Sequence, residues 1–130
     1  MEFTAVHSNI VVADLDRSIA FYEKAFGMKV VRQVEREEMG FRLVFMESKM
    51  GGHRLEITWH KDVGAYFPEE NEERLGFIPH IGFVPDDFKA ALKDHKEMGI
   101  VCLESPQRGV YFVKDPDGHW MEVVPRERAF

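Results

Sequence analysis

Apolar positions fall into two similar series along the chain. His7 opens a run, Ile10-Val11-Val12, that breaks at Asp14, and His80 opens another, Ile81, Phe83 and Val84, that breaks at Pro85-Asp86. Each run is followed by apolar residues at helical spacing: Leu15, Ile19, Tyr22 and Phe26 in the first series, Phe88, Leu92 and Met98 in the second. Asp14 or Asp16 is placed to cap the first helix, and Pro85-Asp86 to start the second. Gly27 and Gly99 are placed to end them through a left-handed residue. His80 follows His7 by 73 residues and Gly99 follows Gly27 by 72, so the chain predicts a tandem repeat.

The strands follow the same logic. Phe41 to Glu47 alternates, Gly51-Gly52 turns, and Arg54 to Trp59 returns. Asp115-Pro116-Asp117-Gly118 is a turn between Val110–Val113 and His119–Val124. Residues 60–79 carry Pro68, the run Glu69-Glu70-Asn71-Glu72-Glu73 and Gly76, and read as a connector with a solvated acidic face. A connector of that length is suited to covering a site. The expected architecture is α+β: one domain over residues 1–130, built from βαβββ modules at 5–59 and 78–125. Their strands are expected to form a curved mixed sheet with the helices on its outer face.

Composition narrows the class. A 130-residue chain with 45% hydrophobic and 31% charged residues fits a globular protein rather than a disordered one. A net charge of −6 without a lysine or arginine run argues against nucleic-acid or anionic-membrane partners. No apolar stretch approaches the roughly 18–20 residues that span a bilayer. Met1-Glu2-Phe3-Thr4 lacks the order of a signal peptide, and the lone Cys102 excludes an intrachain disulfide; both point to the cytoplasm.

Period-two alternation assigns faces. His7, Asn9 and Val11 share one face of the first strand, and His80, Gly82 and Val84 one face of the fifth. Leu55, Ile57 and Trp59 leave Arg54, Glu56 and Thr58 opposite, and Trp120, Glu122 and Val124 oppose His119, Met121 and Val123. Glu56 and Glu122 are carboxylates in mid-strand between apolar neighbours, where a charge is costly unless paired or bound to a cation. The repeat sets His7 with Glu56 and His80 with Glu122. Two imidazoles and two carboxylates suit nickel, zinc, cobalt, manganese or iron(II), and suit calcium poorly. The other candidates are weaker: His53 is expected at the surface after its glycine turn, and His95 on the polar side of the second helix. His119 is expected to point away from Glu122, and Cys102 to be a small core residue.

The stretches "VVADLDRSIAFYEKAFGMKVV", "RLEITW", "PHIGF" and "FVKDPDGHWMEVVP" resemble the vicinal oxygen chelate superfamily, and within it the glyoxalase I (lactoylglutathione lyase) family. The resemblance covers nearly the whole chain. It implies that His7, Glu56, His80 and Glu122 are metal ligands, all present here. It also implies a homodimer in which the first His and Glu come from one chain and the second pair from the other. The short form implies nickel or cobalt, with zinc or manganese as alternatives.

The implied reaction isomerises the hemithioacetal of a 2-oxoaldehyde and a thiol to a 2-hydroxyacyl thioester through an enediolate, as in methylglyoxal detoxification. Glu122 is implied as principal base and Glu56 as ligand and second base; beside the resemblance, His60, next to the strand carrying Glu56, and Arg108 and Trp120 are the candidate substrate contacts. A glutamate at position 56 separates this pattern from dioxygenases, which lack that ligand, and from epimerases, which carry glutamine there. Those enzymes, or a non-catalytic ligand-binding protein, are the alternatives. Glutathione-using relatives carry arginine and asparagine where this chain has Val11 and His60. A valine does not hold a carboxylate as arginine does, so another low-molecular-weight thiol stands beside glutathione. Arg42, Arg74 and Arg108 are the cations available to replace that contact.

Overall fold

Two units, Met1–Phe67 and Pro68–Phe130, each repeat one order of elements. The structure, a computed structural model, describes residues 1–65 and 78–129. In the first unit, β1 (His7–Val11) leads to α1 (Leu15–Phe26), β2 (Lys29–Arg36), a 3₁₀ turn at Glu37–Met39, β3 (Phe41–Glu47) and β4 (Arg54–His60). The sheet order is β1-β4-β3-β2, with β1 parallel to β4 and the other pairs antiparallel. In the second unit, β5 (His80–Phe83) leads to α2 (Phe88–Glu97), β6 (Val101–Ser105), β7 (Val110–Lys114), β8 (Trp120–Val123) and a short α3 (Arg126–Ala129). Its sheet order is β5-β8-β7-β6, again with only the β5–β8 pair parallel. Each unit is thus a four-stranded mixed sheet with one crossover helix, the expected βαβββ module of an α+β protein.

Local chemistry sets the helix ends. The Asp14 side chain accepts from the Arg17 N–H, and Gly27 closes α1 at φ 62°, the left-handed region a Cβ disfavours. α1 buries Leu15, Ser18 and Tyr22 and lies against β4 and β2. Beneath it, Met46 and Ile57 are fully buried, each contributing about 1.5–3 kcal/mol of apolar transfer energy.

The second unit corrects three expectations. Its helix α2 starts at Phe88 rather than at Pro85-Asp86, because the Asp87 carboxylate accepts from the Ala90 N–H and so fixes the cap. His95 is buried, not on the surface. It lies on the stripe of Phe88 and Leu92, and the Tyr111 hydroxyl, 2.9 Å from its Nδ1, gives the ring a polar partner. Cys102 is exposed, not in the core. On β6 the half-buried Val101 and Leu103 flank it, and alternation turns it outward across a shift in register. The acidic run 69–73 and Arg74 lie outside the described residues. Among the described residues, no helix is long and apolar enough to cross a membrane.

Candidate metal centre

The parallel strand pair of each unit builds half of the candidate site. Asn9 stands opposite Glu56 in the β1–β4 register, and Gly82 opposite Glu122 in the β5–β8 register. Each histidine therefore sits two residues before the position facing its glutamate. Leu55 and Ile57 turn inward and are buried, which turns Glu56 to the opposite face. Met121 and Val123 do the same for Glu122. His7 Nε2 lies 3.8 Å from Glu56 Oε2, and His80 Nε2 lies 3.5 Å from Glu122 Oε2. The glutamate side chains are 18% and 20% exposed, so these carboxylates are only partly solvated.

The antiparallel neighbours repeat as well. Phe45 stands opposite Glu56, and Phe112 opposite Glu122. The His7 ring meets Phe45 edge to face at 5.6 Å, and the His80 ring meets Phe112 at 5.2 Å. These phenyl rings limit each imidazole's swing. Sequence reasoning did not single them out, because only strand register shows that each faces its glutamate. His80 is also held from behind: its Nδ1 lies 2.7 Å from the Ile78 carbonyl oxygen. A carbonyl only accepts, so Nδ1 donates in this contact, and Nε2 is the nitrogen left facing Glu122. Asn9, noted from the sequence only for sharing the face of His7, donates from Nδ2 to Glu56 Oε1 at 2.8 Å.

Comparison with known proteins gives the family of the chain. The profile of the Glyoxalase/Bleomycin resistance protein/Dioxygenase superfamily matches residues 4–123. The chain belongs to that superfamily. A probable lactoylglutathione lyase of Vibrio cholerae is 33% identical over 95% of this chain and 91% of its own length. A lactoylglutathione lyase of Pseudomonas aeruginosa is 30% identical over 95% of this chain and 82% of its own. Among solved structures, the trypanothione-dependent glyoxalase I of Leishmania major superposes with a TM-score of 0.78 at 31% identity, covering 97% of this chain and 88% of that one.

Members of the superfamily generally use a divalent metal, and the residues here fit one. Two ligand atoms each about 2.1 Å from a common ion lie about 3 to 3.4 Å apart, close to both His–Glu separations. An imidazole with its proton fixed on the far nitrogen beside a partly desolvated carboxylate is a donor pair for a borderline cation. Each unit offers one His–Glu pair, with the far nitrogen anchored in the case of His80; among the described residues, no group of three or more His, Cys, Asp or Glu is close enough together to hold an ion.

The remaining candidates are placed as follows. His60 ends β4, and its Nδ1 accepts from the Asp62 N–H at 3.0 Å. Arg108 lies in the β6–β7 turn, its Nε 3.3 Å from Ser105 Oγ and its carbonyl accepting from Arg128. Trp120 is buried at 4% exposure with Ile78 and Phe112. Val11 is half-buried on the face of His7, and Arg42 lies 3.8 Å from Glu35. His53 is exposed, with Nε2 2.9 Å from Ser8 Oγ.

Proposed function

We propose that the protein is a glyoxalase I-type lyase that isomerises the hemithioacetal of a 2-oxoaldehyde and a thiol to a 2-hydroxyacyl thioester. The observation that carries this reading is the repeated His–Glu pair, each backed by an edge-on phenylalanine, in a chain whose relatives are named lactoylglutathione lyases. His7, Glu56, His80 and Glu122 are the ligands of one divalent cation, nickel or cobalt first and zinc or manganese next. The chain works as a homodimer in which one protomer supplies His7 and Glu56 and its partner the second pair. The bound cation supplies electrophilic stabilisation of the negative charge that develops on the two adjacent substrate oxygens.

The protein's own groups handle the proton. A Glu122 carboxylate oxygen takes it from the thiol-bearing carbon and returns it to the neighbouring carbon, while the hydroxyl proton passes from the first substrate oxygen to the second, so atoms and electrons balance with no oxidant or reductant. Glu56 holds its position as ligand. His60, Arg108 and Trp120 are the proposed substrate contacts, and Val11 removes the cation that a glutathione carboxylate would meet in an arginine-bearing relative. A thiol other than glutathione is therefore the second reading. The Leishmania relative is itself described as trypanothione-dependent.

Turnover of methylglyoxal with a panel of thiols, at matched metal content, tests the proposal. Metal-dependent thioester formation with at least one thiol is expected. Absence of turnover with every thiol and every one of the four metals overturns it.

A further inference from the structure

The two halves of the candidate centre are near copies, and they differ at two pairs of positions, Asn9 against Gly82 and Thr58 against Val124. In the first unit, Asn9 Nδ2 lies 2.8 Å from Glu56 Oε1 and 2.8 Å from Thr58 Oγ1, with a longer 3.4 Å approach to the Glu56 carbonyl. A carboxylate only accepts, so it is the amide nitrogen that faces Glu56. Thr58 takes the second amide hydrogen and fixes the rotation of the group. One oxygen of Glu56 is thus held by Asn9, while the other faces His7.

In the second unit both parts of this clamp are missing. Gly82 occupies the register position of Asn9, and Val124, two residues beyond Glu122, stands where Thr58 follows Glu56. Gly82 has no side chain to donate, and Val124 no hydroxyl to accept. Steric crowding does not explain the glycine. A Cβ built on Gly82 meets nothing within 4 Å, and its φ lies outside the left-handed region.

We propose that Asn9 is a positioning residue that makes Glu56 the stationary carboxylate, and that Gly82 leaves Glu122 unclamped so that it can leave its partner and carry a proton. This inference rests on the lyase reading and gives a structural reason for the unequal roles of two repeat-related glutamates. A carboxylate held by a charge-assisted hydrogen bond is a rigid ligand; one without it reorients at less cost.

A spectroscopic measurement, a metal-affinity measurement and a kinetic comparison test it in the whole chain. In metal-free protein, the Asn9 side-chain amide resonances should move on Glu56→Gln and stay in place on Glu122→Gln. Asn9→Ala should weaken affinity for nickel, measured by competition with a chromophoric chelator, by about 10- to 100-fold, the usual effect of losing a ligand's outer partner. Gly82→Asn should lower kcat at least tenfold more than Gly82→Ala does, with KM little changed. Amide resonances indifferent to Glu56→Gln, or nickel affinity unmoved by Asn9→Ala, overturn the clamp. Equal kcat for the two Gly82 variants overturns the role of the glycine. If Gly82→Asn does not fold, Val124→Thr combined with Gly82→Ser supplies a smaller donor pair under the same criterion. The lyase reading fails separately, through absence of nickel binding and turnover in the unaltered protein, and the amide measurement still decides the clamp in that case.

Discussion

His80 presents Nε2 to Glu122 Oε2 at 3.5 Å while the Ile78 carbonyl anchors its other nitrogen. That contact is longer than a hydrogen bond and suits two ligands that share an ion better than two that satisfy each other. The His7–Glu56 pair repeats it at 3.8 Å. The recurrence follows from a parallel pair of strands in each unit that brings a histidine and a glutamate onto one face.

Glu122→Gln keeps the shape of the side chain and an oxygen for the cation, and removes the group that carries the proton. The protein should still bind nickel, and kcat should fall by about 10²- to 10⁴-fold, the range for loss of a general base. Metal analysis of the variant alongside single-turnover kinetics checks both halves. Turnover at the level of the unaltered protein would reject the base assignment.

Sharing of the centre between two protomers is testable by complementation. A chain carrying His7→Ala and Glu56→Gln, and a chain carrying His80→Ala and Glu122→Gln, should each be inactive. Unfolded and refolded together, they should recover about a quarter of the activity, since half of the dimers are mixed and each mixed dimer has one intact centre. No recovery, with mixed dimers confirmed by native mass spectrometry, would place all four ligands on one chain.

Tyr111 supplies a pH prediction. Burial, and then the nearby Asp94 charge, push its phenol well above the ordinary value of 10.0. The folded state holds that proton more tightly than the unfolded chain, so this contribution to stability is complete below about pH 10 and declines as pH rises above it. Tyr111→Phe should flatten the alkaline decline in urea-unfolding midpoints. The same substitution removes the hydroxyl from His95 Nδ1 and should cost about 1–3 kcal/mol at neutral pH. An alkaline decline of the same steepness in the variant would rule out the phenol as its source.

The turn before β8 depends on one carboxylate. Asp115 Oδ1 accepts from the backbone N–H groups of Asp117 and His119, each at 2.9 Å, in a buried setting. Asp115→Ala should therefore lower unfolding free energy by about 1–3 kcal/mol and disturb the strand that carries Glu122. Urea denaturation measures the first effect, and nickel affinity the second.

Much of this was legible in the sequence. Alternation in Phe41–Glu47 gives the limits of β3 to the residue, and Asp14 and Gly27 bound α1 because cap chemistry is local. The repeat offset brought His7 and Glu56, and His80 and Glu122, together as pairs. What stayed hidden depended on register or on a tertiary partner. Phe45 and Phe112 matter because of what stands across the ladder from them. His95 sits on the apolar stripe of α2, but its burial depends on the Tyr111 hydroxyl from another strand, and Cys102 turns outward at a break in register. The contrast between Asn9 and Gly82 emerges only once both are seen opposite glutamates.

The most direct test of the four-ligand centre is the number of divalent ions bound per chain, measured by equilibrium nickel titration of the unaltered protein and of His7→Ala, Glu56→Ala, His80→Ala and Glu122→Ala. The account predicts one ion per chain in the unaltered protein and at least a hundredfold loss of affinity in every variant, beyond the effect of losing an outer-shell partner. No binding by the unaltered protein, or full affinity in any one of the four variants, would contradict it.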